Sequence, residues 1–138
     1  MIDAGGLPLA VGLSAANTHD SQLLEPMVDA VPAVIGPRGR PGRPRRRPAK
    51  PHADKGYDFP RCRQALRRRS ISPRIARRGV DSSQRLGRHR WKVERTLAWL
   101  LGHRRLTVRY ERRADLLQGL LHLACALLCL GSLRRGRG

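Results

Sequence analysis

The amino-acid sequence predicts an α/β fold, in which helices pack against a sheet. Short runs of extended character occur at residues 7–14, 50–53 and 70–76. The segments between and after them repeat apolar residues at the spacing of a helix. A chain of 138 residues is long enough for one domain, and its 40% apolar and 4% aromatic residues predict a thin core.

The first predicted element is the extended run at residues 7–14, which follows the turn-forming sequence Asp3-Ala4-Gly5-Gly6. This turn predicts a hairpin corner. A helix is expected at residues 21–30, and Thr18 or Asp20 is the residue expected to cap its start.

An abrupt change to proline, glycine and arginine marks residues 36–51. This composition predicts a disordered, solvated insertion between two core elements. On a nucleic acid the same segment can act as a cationic arm that contacts phosphates without reading base sequence. Its basic residues are Arg38, Arg40, Arg43, Arg45, Arg46, Arg47 and Lys50.

Asp54 stands directly after the extended run at residues 50–53 and before a turn at Gly56. Asp58 and Pro60 are expected as the cap and first-turn residue of a helix over residues 58–69. Open α/β sheets gather their ligands at the carboxyl ends of strands. Asp54 is therefore a candidate ligand for a divalent cation.

Glu94 lies on a predicted helix, within an arc of apolar residues that includes Trp91, Leu97 and Leu101. A buried carboxylate needs a cation, a hydrogen-bond network or a metal to compensate its charge. Arg90, one turn earlier, supplies one such cation. From this helix alone, an ordinary ion pair and a metal site both remain open.

Two long helices are predicted in the second half of the chain, at residues 82–101 and 112–130, followed by a disordered tail at 134–138. The second helix is apolar nearly all round. Its leucine-rich part, residues 116–130, would span about 22 Å, less than the roughly 30 Å hydrocarbon layer of a membrane. This predicts a core helix that packs across the sheet, not a membrane span. Because that sheet is incomplete in this chain, exposed leucines and aggregation are expected.

The charge balance favours a partner with many negative charges. There are 29 Lys and Arg residues against 10 Asp and Glu residues, for a formal net charge of +19. A chain of this charge is expected to associate with nucleic acid. Three cysteines without a secretory signal indicate a reducing cytoplasm.

Five segments, in this order, resemble motifs of the DDE (Asp-Asp-Glu) transposases of bacterial insertion sequences. These enzymes have a ribonuclease H-like catalytic domain. The segments are Gly6-Leu7-Pro8-Leu9, Asn17-Thr18-His19-Asp20, Ala53-Asp54-Lys55-Gly56-Tyr57, Arg90-Trp91-Lys92-Val93-Glu94-Arg95 with Trp99-Leu100, and Arg104-Arg105-Leu106 with Tyr110-Glu111.

The resemblance implies an incomplete ribonuclease H-like fold over residues 1–133, with a mixed sheet flanked by helices and without the N-terminal strand or strands. It implies metal-dependent cleavage and strand transfer on double-stranded DNA, with two Mg²⁺ or Mn²⁺ ions. The expected location is the bacterial cytoplasm, at the nucleoid and not in a membrane. A homodimer, or association with an upstream transposase fragment, is the implied assembly.

The resemblance also assigns roles to individual residues. Asp54 and Glu94 correspond to the second and third catalytic acids and bind the metal, and Arg90 is the basic residue of the family's Tyr-Arg-Glu-Lys signature. Asn17 and Asp20 are expected to support these groups. Further DNA contacts are expected from Lys55, Lys92, Arg95, Arg104 and Arg105.

The sequence departs from the family pattern at three places. The tyrosine of the signature falls on Gly87 and its lysine on Leu101, and His103, Arg104 or Arg105 is an alternative source of the missing cation. No residue fits the first catalytic aspartate. We therefore expect a truncated C-terminal part that is impaired in catalysis on its own. The rival hypotheses are a non-catalytic basic nucleic-acid-binding protein and a decayed transposase remnant.

Overall fold

Two short strands pair in parallel in the computed structural model, which describes residues 1–35, 42–80 and 83–136. Strand β1 (His52–Ala53) lies beside β2 (Arg74–Ile75), with Ala53 opposite Ile75. In the described residues the remaining pairing consists of isolated antiparallel bridges, Ile2 with Pro8 and Val34 with Arg45. The α/β class is confirmed, and the strands are shorter than the extended runs suggested.

Five α-helices and two 3-10 turns accompany this sheet in the described part of the chain. The 3-10 turns are Asp20–Leu23 and Lys55–Tyr57. The helices are α1 (Leu24–Asp29), α2 (Pro60–Arg68), α3 (Ser83–Leu101), α4 (Arg104–Thr107) and α5 (Ala114–Arg135). The predicted helices are confirmed, and α4 is an addition that the sequence pattern did not indicate.

The chain divides into two compact units. The central unit is Ala15–His89, and the terminal unit combines Met1–Ser14 with Arg90–Gly138. In the central unit, α1 and α2 bury apolar side chains together with residues around β2. The buried residues there are Leu24, Val28, Val31, Cys62, Ala65, Leu66, Ile71, Ile75 and Ala76.

The caps of the central unit differ from the expected ones. His19 caps the 3-10 turn before α1, because its side chain accepts a hydrogen bond from the Ser21 amide. Phe59 occupies the position before α2, with Pro60 as the first helical residue. Thr18, Asp20 and Asp58 are therefore not the caps, and the Asp58 carboxylate has other partners.

The arginine-rich segment lies partly outside the described residues, and this includes the predicted contacts Arg38 and Arg40. From Gly42 onward its backbone is hydrogen-bonded at several points. The Arg45 and Val34 backbones exchange two hydrogen bonds of 2.9 Å, and Ala49 O accepts from the Ser72 amide. The side chains of Arg43, Arg45, Arg46, Arg47 and Lys50 remain exposed to solvent or partly so.

In the terminal unit, the predicted hairpin corner at Asp3 is confirmed. The Asp3 amide donates to Leu7 O, and Asp3 Oδ1 accepts from the Gly5 and Leu7 amides, each at 2.8 Å. The expected strand at residues 7–14 is reduced to the bridge at Pro8. A small core lies between α3 and α5, where Leu100 packs with Ala124 and Cys125.

Helix α5 is longer than expected, because it continues to Arg135, into the tail that was expected to be disordered. It packs through the stripe that carries Ala124 and Cys125. The leucines outside this stripe are exposed, as expected for a chain in which the covering sheet is incomplete. At about 1.5 Å per residue the helix is also long enough, and apolar enough, to cross a membrane. The length argument against a span thus fails, although one such helix is weak evidence for a membrane location.

Candidate catalytic site and nucleic-acid interface

Asp54 directly follows β1, as the sequence predicted, and begins the 3-10 turn Lys55–Tyr57. Its Oδ1 accepts a hydrogen bond of 2.8 Å from the Gly56 amide. A Cβ on Gly56 would lie 2.9 Å from this same oxygen, so a larger residue there would displace the Asp54 carboxylate. The Asp54 side chain is exposed, and among the described residues its second oxygen accepts no hydrogen bond. An exposed carboxylate with a free oxygen is a donor of the kind that Mg²⁺ or Mn²⁺ takes.

Tyr57 lies in the electrostatic field of two acids near this turn. Burial raises the pKa of the Tyr57 phenol, and the negative charges of Asp20 and Asp54 raise that pKa further. Asp20 is thus close enough to influence the same part of the central unit as Asp54. Asn17, the other predicted supporting residue, is exposed in the turn at residues 16–17.

Asp58 joins three parts of the central unit. Its Oδ1 accepts from Arg63 Nη2 at 2.7 Å, and its Oδ2 accepts from the Arg78 backbone amide at 2.8 Å. The Arg78 amide and the Arg63 guanidinium hold the pKa of the Asp58 carboxyl below its usual value. Arg63 Nη2 also donates to Ile75 O at 2.9 Å. Asp58 therefore fixes the start of α2 to the chain that follows β2, a role the sequence did not reveal.

Phe59 carries two arginine side chains on its ring. The Arg61 guanidinium carbon lies 5.3 Å from the ring centroid and that of Arg78 lies 4.9 Å away, both within cation–π range. His19 meets the ring edge-on at 5.3 Å. His19, Phe59 and Arg78 are far apart in the sequence, so only the fold reveals the cluster.

Glu94 is exposed on α3, with 61% of its side chain accessible, and its Oε1 accepts from Arg90 Nε at 2.8 Å. Trp91, Leu97 and Leu101 are also about half exposed. The expectation that Glu94 lies on a buried face is therefore wrong in this structure. The apolar arc exists, but nothing in the described residues covers it.

The opposite side of α3 holds the hairpin corner of the terminal unit. Lys92 Nζ donates to Ala4 O at 2.6 Å, Arg95 Nη2 donates to Gly5 O at 2.8 Å, and the Thr96 hydroxyl donates to Gly6 O at 2.5 Å. Three successive carbonyl groups are thus bound by three side chains of one helix. Lys92 and Arg95 were predicted to contact DNA, and the structure gives them this additional structural task.

Arg95 also stacks against the two tryptophans of the chain. Its guanidinium carbon lies 4.6 Å from the Trp91 ring and 4.8 Å from the Trp99 ring, one turn to either side. The spacing of i and i+4 on a helix explains both contacts. This stack limits the freedom of Arg95 to reach a phosphate.

Of the remaining predicted DNA contacts, Lys55 is partly exposed in the 3-10 turn after Asp54, and Arg104 and Arg105 lie on α4. Arg105 Nη1 pairs with Glu111 Oε1 at 3.3 Å, and the Glu111 side chain is only 12% exposed. Glu111 Oε2 is buried and has no hydrogen-bond partner among the described residues. Arg104 is exposed at the start of α4. Of this pair, Arg104 is the residue free to bind a phosphate.

Asp54 belongs to the central unit and Glu94 to the terminal unit. Their meeting around one metal remains a prediction. Across residues 1–35, 42–80 and 83–136, no three His, Cys, Asp or Glu side chains are grouped so that they could hold a metal ion.

Comparison with known proteins places these residues in a family. Residues 1–129 match the family model described as the transposase DDE domain. Over 133 residues the chain is 49% identical to a Burkholderia cepacia protein named as a candidate transposase for insertion sequence element IS402. The alignment covers 96% of this chain and 62% of that relative. No solved structure matches the chain.

Proposed function

The chain belongs to the family of transposase DDE domains, and from this premise we propose that it acts in cutting and joining DNA at the ends of an insertion sequence. The observation that carries the proposal is the family match over residues 1–129, which includes both Asp54 and Glu94. The family also supports a ribonuclease H-like arrangement, of which β1 and β2 would be part. The cytoplasm, at the nucleoid, is the location that fits this function.

Two carboxylates are proposed to hold a divalent cation, Asp54 and Glu94. Asp54 fits this role because its carboxylate stands at a strand end with one oxygen unbonded. Glu94 is accessible and has one oxygen held by Arg90. Arg90 therefore orients Glu94 or contacts DNA. Asn17 and Asp20 are proposed to support the site.

When bound, the cations supply an activated nucleophile and stabilise the leaving oxygen of a phosphodiester. The residues of the chain hold the carboxylates in place. Gly56 donates to Asp54 and Arg90 donates to Glu94, so one oxygen of each acid is fixed in position.

DNA binding follows from the net charge of +19 and the exposed arginines. We propose double-stranded DNA, both element ends and target, as the substrate. A homodimer, or association with another transposase segment, is proposed as the working assembly.

The first test is metal binding by the full chain, because it does not depend on turnover. Mn²⁺ is titrated by calorimetry into the protein and into Asp54→Asn, Glu94→Gln and the control Asp115→Asn. Asp115 is an exposed aspartate paired with Arg113, outside the proposed site. We expect affinity to fall at least tenfold for the first two variants and to stay unchanged for the control. Equal binding by all four proteins would refute the metal assignment.

The second test is cleavage of end-labelled insertion-sequence DNA with Mn²⁺. Any cleavage should disappear in Asp54→Asn and persist in Asp115→Asn. The alternative function, a non-catalytic DNA-binding protein, is favoured by the net charge of +19 and the exposed arginine side chains. It predicts strong DNA binding that neither Mn²⁺ nor the Asp54 substitution alters.

A further inference from the structure

The cluster of Phe59, Arg61 and Arg78, which we name the Phe59 cluster, lies beside the Asp54 turn. Arg78 Nε donates to Lys55 O at 3.0 Å, and Lys55 is the residue after Asp54. Arg61 Nη2 donates to Ser21 Oγ at 2.6 Å. Each guanidinium is therefore held by one hydrogen bond and by the Phe59 ring.

Both guanidinium groups keep most of their hydrogen-bonding capacity. A guanidinium carries five N–H donors, and in the described residues each of these two uses one. The acceptors are a hydroxyl and a backbone carbonyl, both neutral. Arg61 and Arg78 are also exposed, so the remaining donors are accessible.

The charges of these two arginines are not compensated by an ion pair. In the part of the chain that the structure describes, neither lies within 4.0 Å of a carboxylate oxygen, whereas Arg63 pairs with Asp58 and Arg69 pairs with Asp29. These four arginines thus fall into two groups. Arg63 and Arg69 pair directly with carboxylates, while Arg61 and Arg78 lie on the Phe59 ring without a direct ion pair. The Asp58 carboxylate acts on Arg78 only at longer range.

We propose that Arg61 and Arg78 each bind a phosphate group of the DNA backbone, next to the Asp54 turn. Planar guanidinium groups recognise phosphate through paired N–H donors, and stacking on an aromatic ring fixes their orientation before binding. Because the two arginine side chains are already ordered, they lose fewer rotamers when they bind phosphate. The entropic cost of binding is therefore smaller. The inference rests on the proposed function for the identity of the polyanion as DNA.

The test measures DNA binding without metal, so that it is independent of catalysis. The full chain is titrated against a fluorescent duplex of arbitrary sequence in EDTA, at several salt concentrations. Arg61→Ala and Arg78→Ala are compared with Arg67→Ala, which removes the same charge from an exposed arginine of α2. We expect each cluster variant to weaken binding about threefold to tenfold and to reduce the slope of log K against log salt by about 0.9. Arg67→Ala should leave the slope unchanged.

Two variants that conserve charge test the role of the ring. Arg78→Lys keeps the positive charge but loses the planar fork, and Phe59→Leu keeps both arginines but removes their platform. Both should weaken binding, while Arg67→Lys should not. Circular dichroism shows whether each variant folds. If Phe59→Leu is unfolded, Arg78→Lys alone tests the proposal.

The outcomes separate this proposal from the proposed catalytic function. Equal losses in the Arg67 and cluster variants would overturn the proposal, because general charge alone would then explain binding. If the cluster variants lose affinity but Asp54→Asn keeps full Mn²⁺ binding, the phosphate site stands and the metal assignment fails. If Asp54→Asn loses Mn²⁺ but the cluster variants bind DNA normally, the reverse holds.

Discussion

Arg69 and Asp29 form a two-point ion pair that joins the end of α2 to the end of α1. Arg69 Nε donates to Oδ1 at 2.9 Å, and Nη2 donates to Oδ2 at 2.7 Å. Nη1 of the same guanidinium donates to Glu25 Oε2 at 2.9 Å. One arginine thus binds two carboxylates of α1. Its hydrogen bonds hold the pKa of the Asp29 carboxyl below its usual value.

Replacement of Arg69 by alanine should lower thermal stability in a pH-dependent way. A carboxyl whose pKa is lower in the folded state stabilises the fold above about pH 4, and this stabilisation is lost as pH falls. We expect Arg69→Ala to reduce the unfolding midpoint by a few degrees at pH 7, and less at pH 3. Differential scanning calorimetry of Arg69→Ala, with Arg67→Ala as the control, checks this prediction. A deficit that is equal at both pH values would show that Arg69 acts through packing alone.

The sequence predicted the helices and the place of Asp54 because these depend on local patterns. Apolar periodicity defines α2 and α3, and a strand end followed by Gly56 marks the turn. Contacts between distant segments were not predictable in this way. Asp58 looked like a helix cap, but its oxygens bind Arg63 and the Arg78 amide, which lies 20 residues away.

The environment of Glu94 was mispredicted for a related reason. Helical periodicity shows that Trp91, Leu97 and Leu101 share a face with Glu94, but it does not show whether another element covers that face. In this structure the face is exposed. The other side of α3 is the one that makes contacts. It carries Lys92, whose Nζ donates a hydrogen bond to Ala4 O.

Gly6 is expected to be intolerant of alanine. Its φ of +91° is a conformation that residues with a Cβ rarely adopt, and a Cβ there would lie 2.9 Å from Arg95 Nη2 and 3.4 Å from Thr96 Oγ1. We expect Gly6→Ala to lower the free energy of unfolding by about 1–3 kcal/mol. The control is Gly119→Ala on α5, where a Cβ meets nothing within 4 Å. It should stabilise the helix by about 0.5–1 kcal/mol. Urea denaturation measures both, and a loss in Gly119→Ala as large as that in Gly6→Ala would contradict the argument.

The Arg90–Glu94 pair should contribute little to stability. Both side chains are largely exposed, at 70% and 61%, and exposed pairs one helical turn apart contribute at most about 0.5 kcal/mol. We expect the free energies of unfolding of Arg90→Gln and Glu94→Gln, measured in urea, to lie within about 0.5 kcal/mol of that of the parent chain. Loss of Mn²⁺ binding in Glu94→Gln would then report on function and not on folding. A destabilisation of about 3–5 kcal/mol, the cost of breaking a buried pair, would show that Glu94 is covered in solution.

The outer face of α5 should drive self-association of the isolated chain. Leu123 and Leu127 are 57% and 51% exposed, one helical turn apart, while Ala124 beside them is 4% exposed. Contiguous exposed leucines are an aggregation liability in water. We expect Leu123→Gln combined with Leu127→Gln to increase the monomer fraction in size-exclusion chromatography without loss of helical content. Ala124→Gln, one position away, should instead unfold the core around Leu100, because a polar side chain would enter it. If the double variant associates as strongly as the parent chain, the exposed leucines are not the cause, and the apolar face of α3 around Trp91 and Leu97 is the next surface to change.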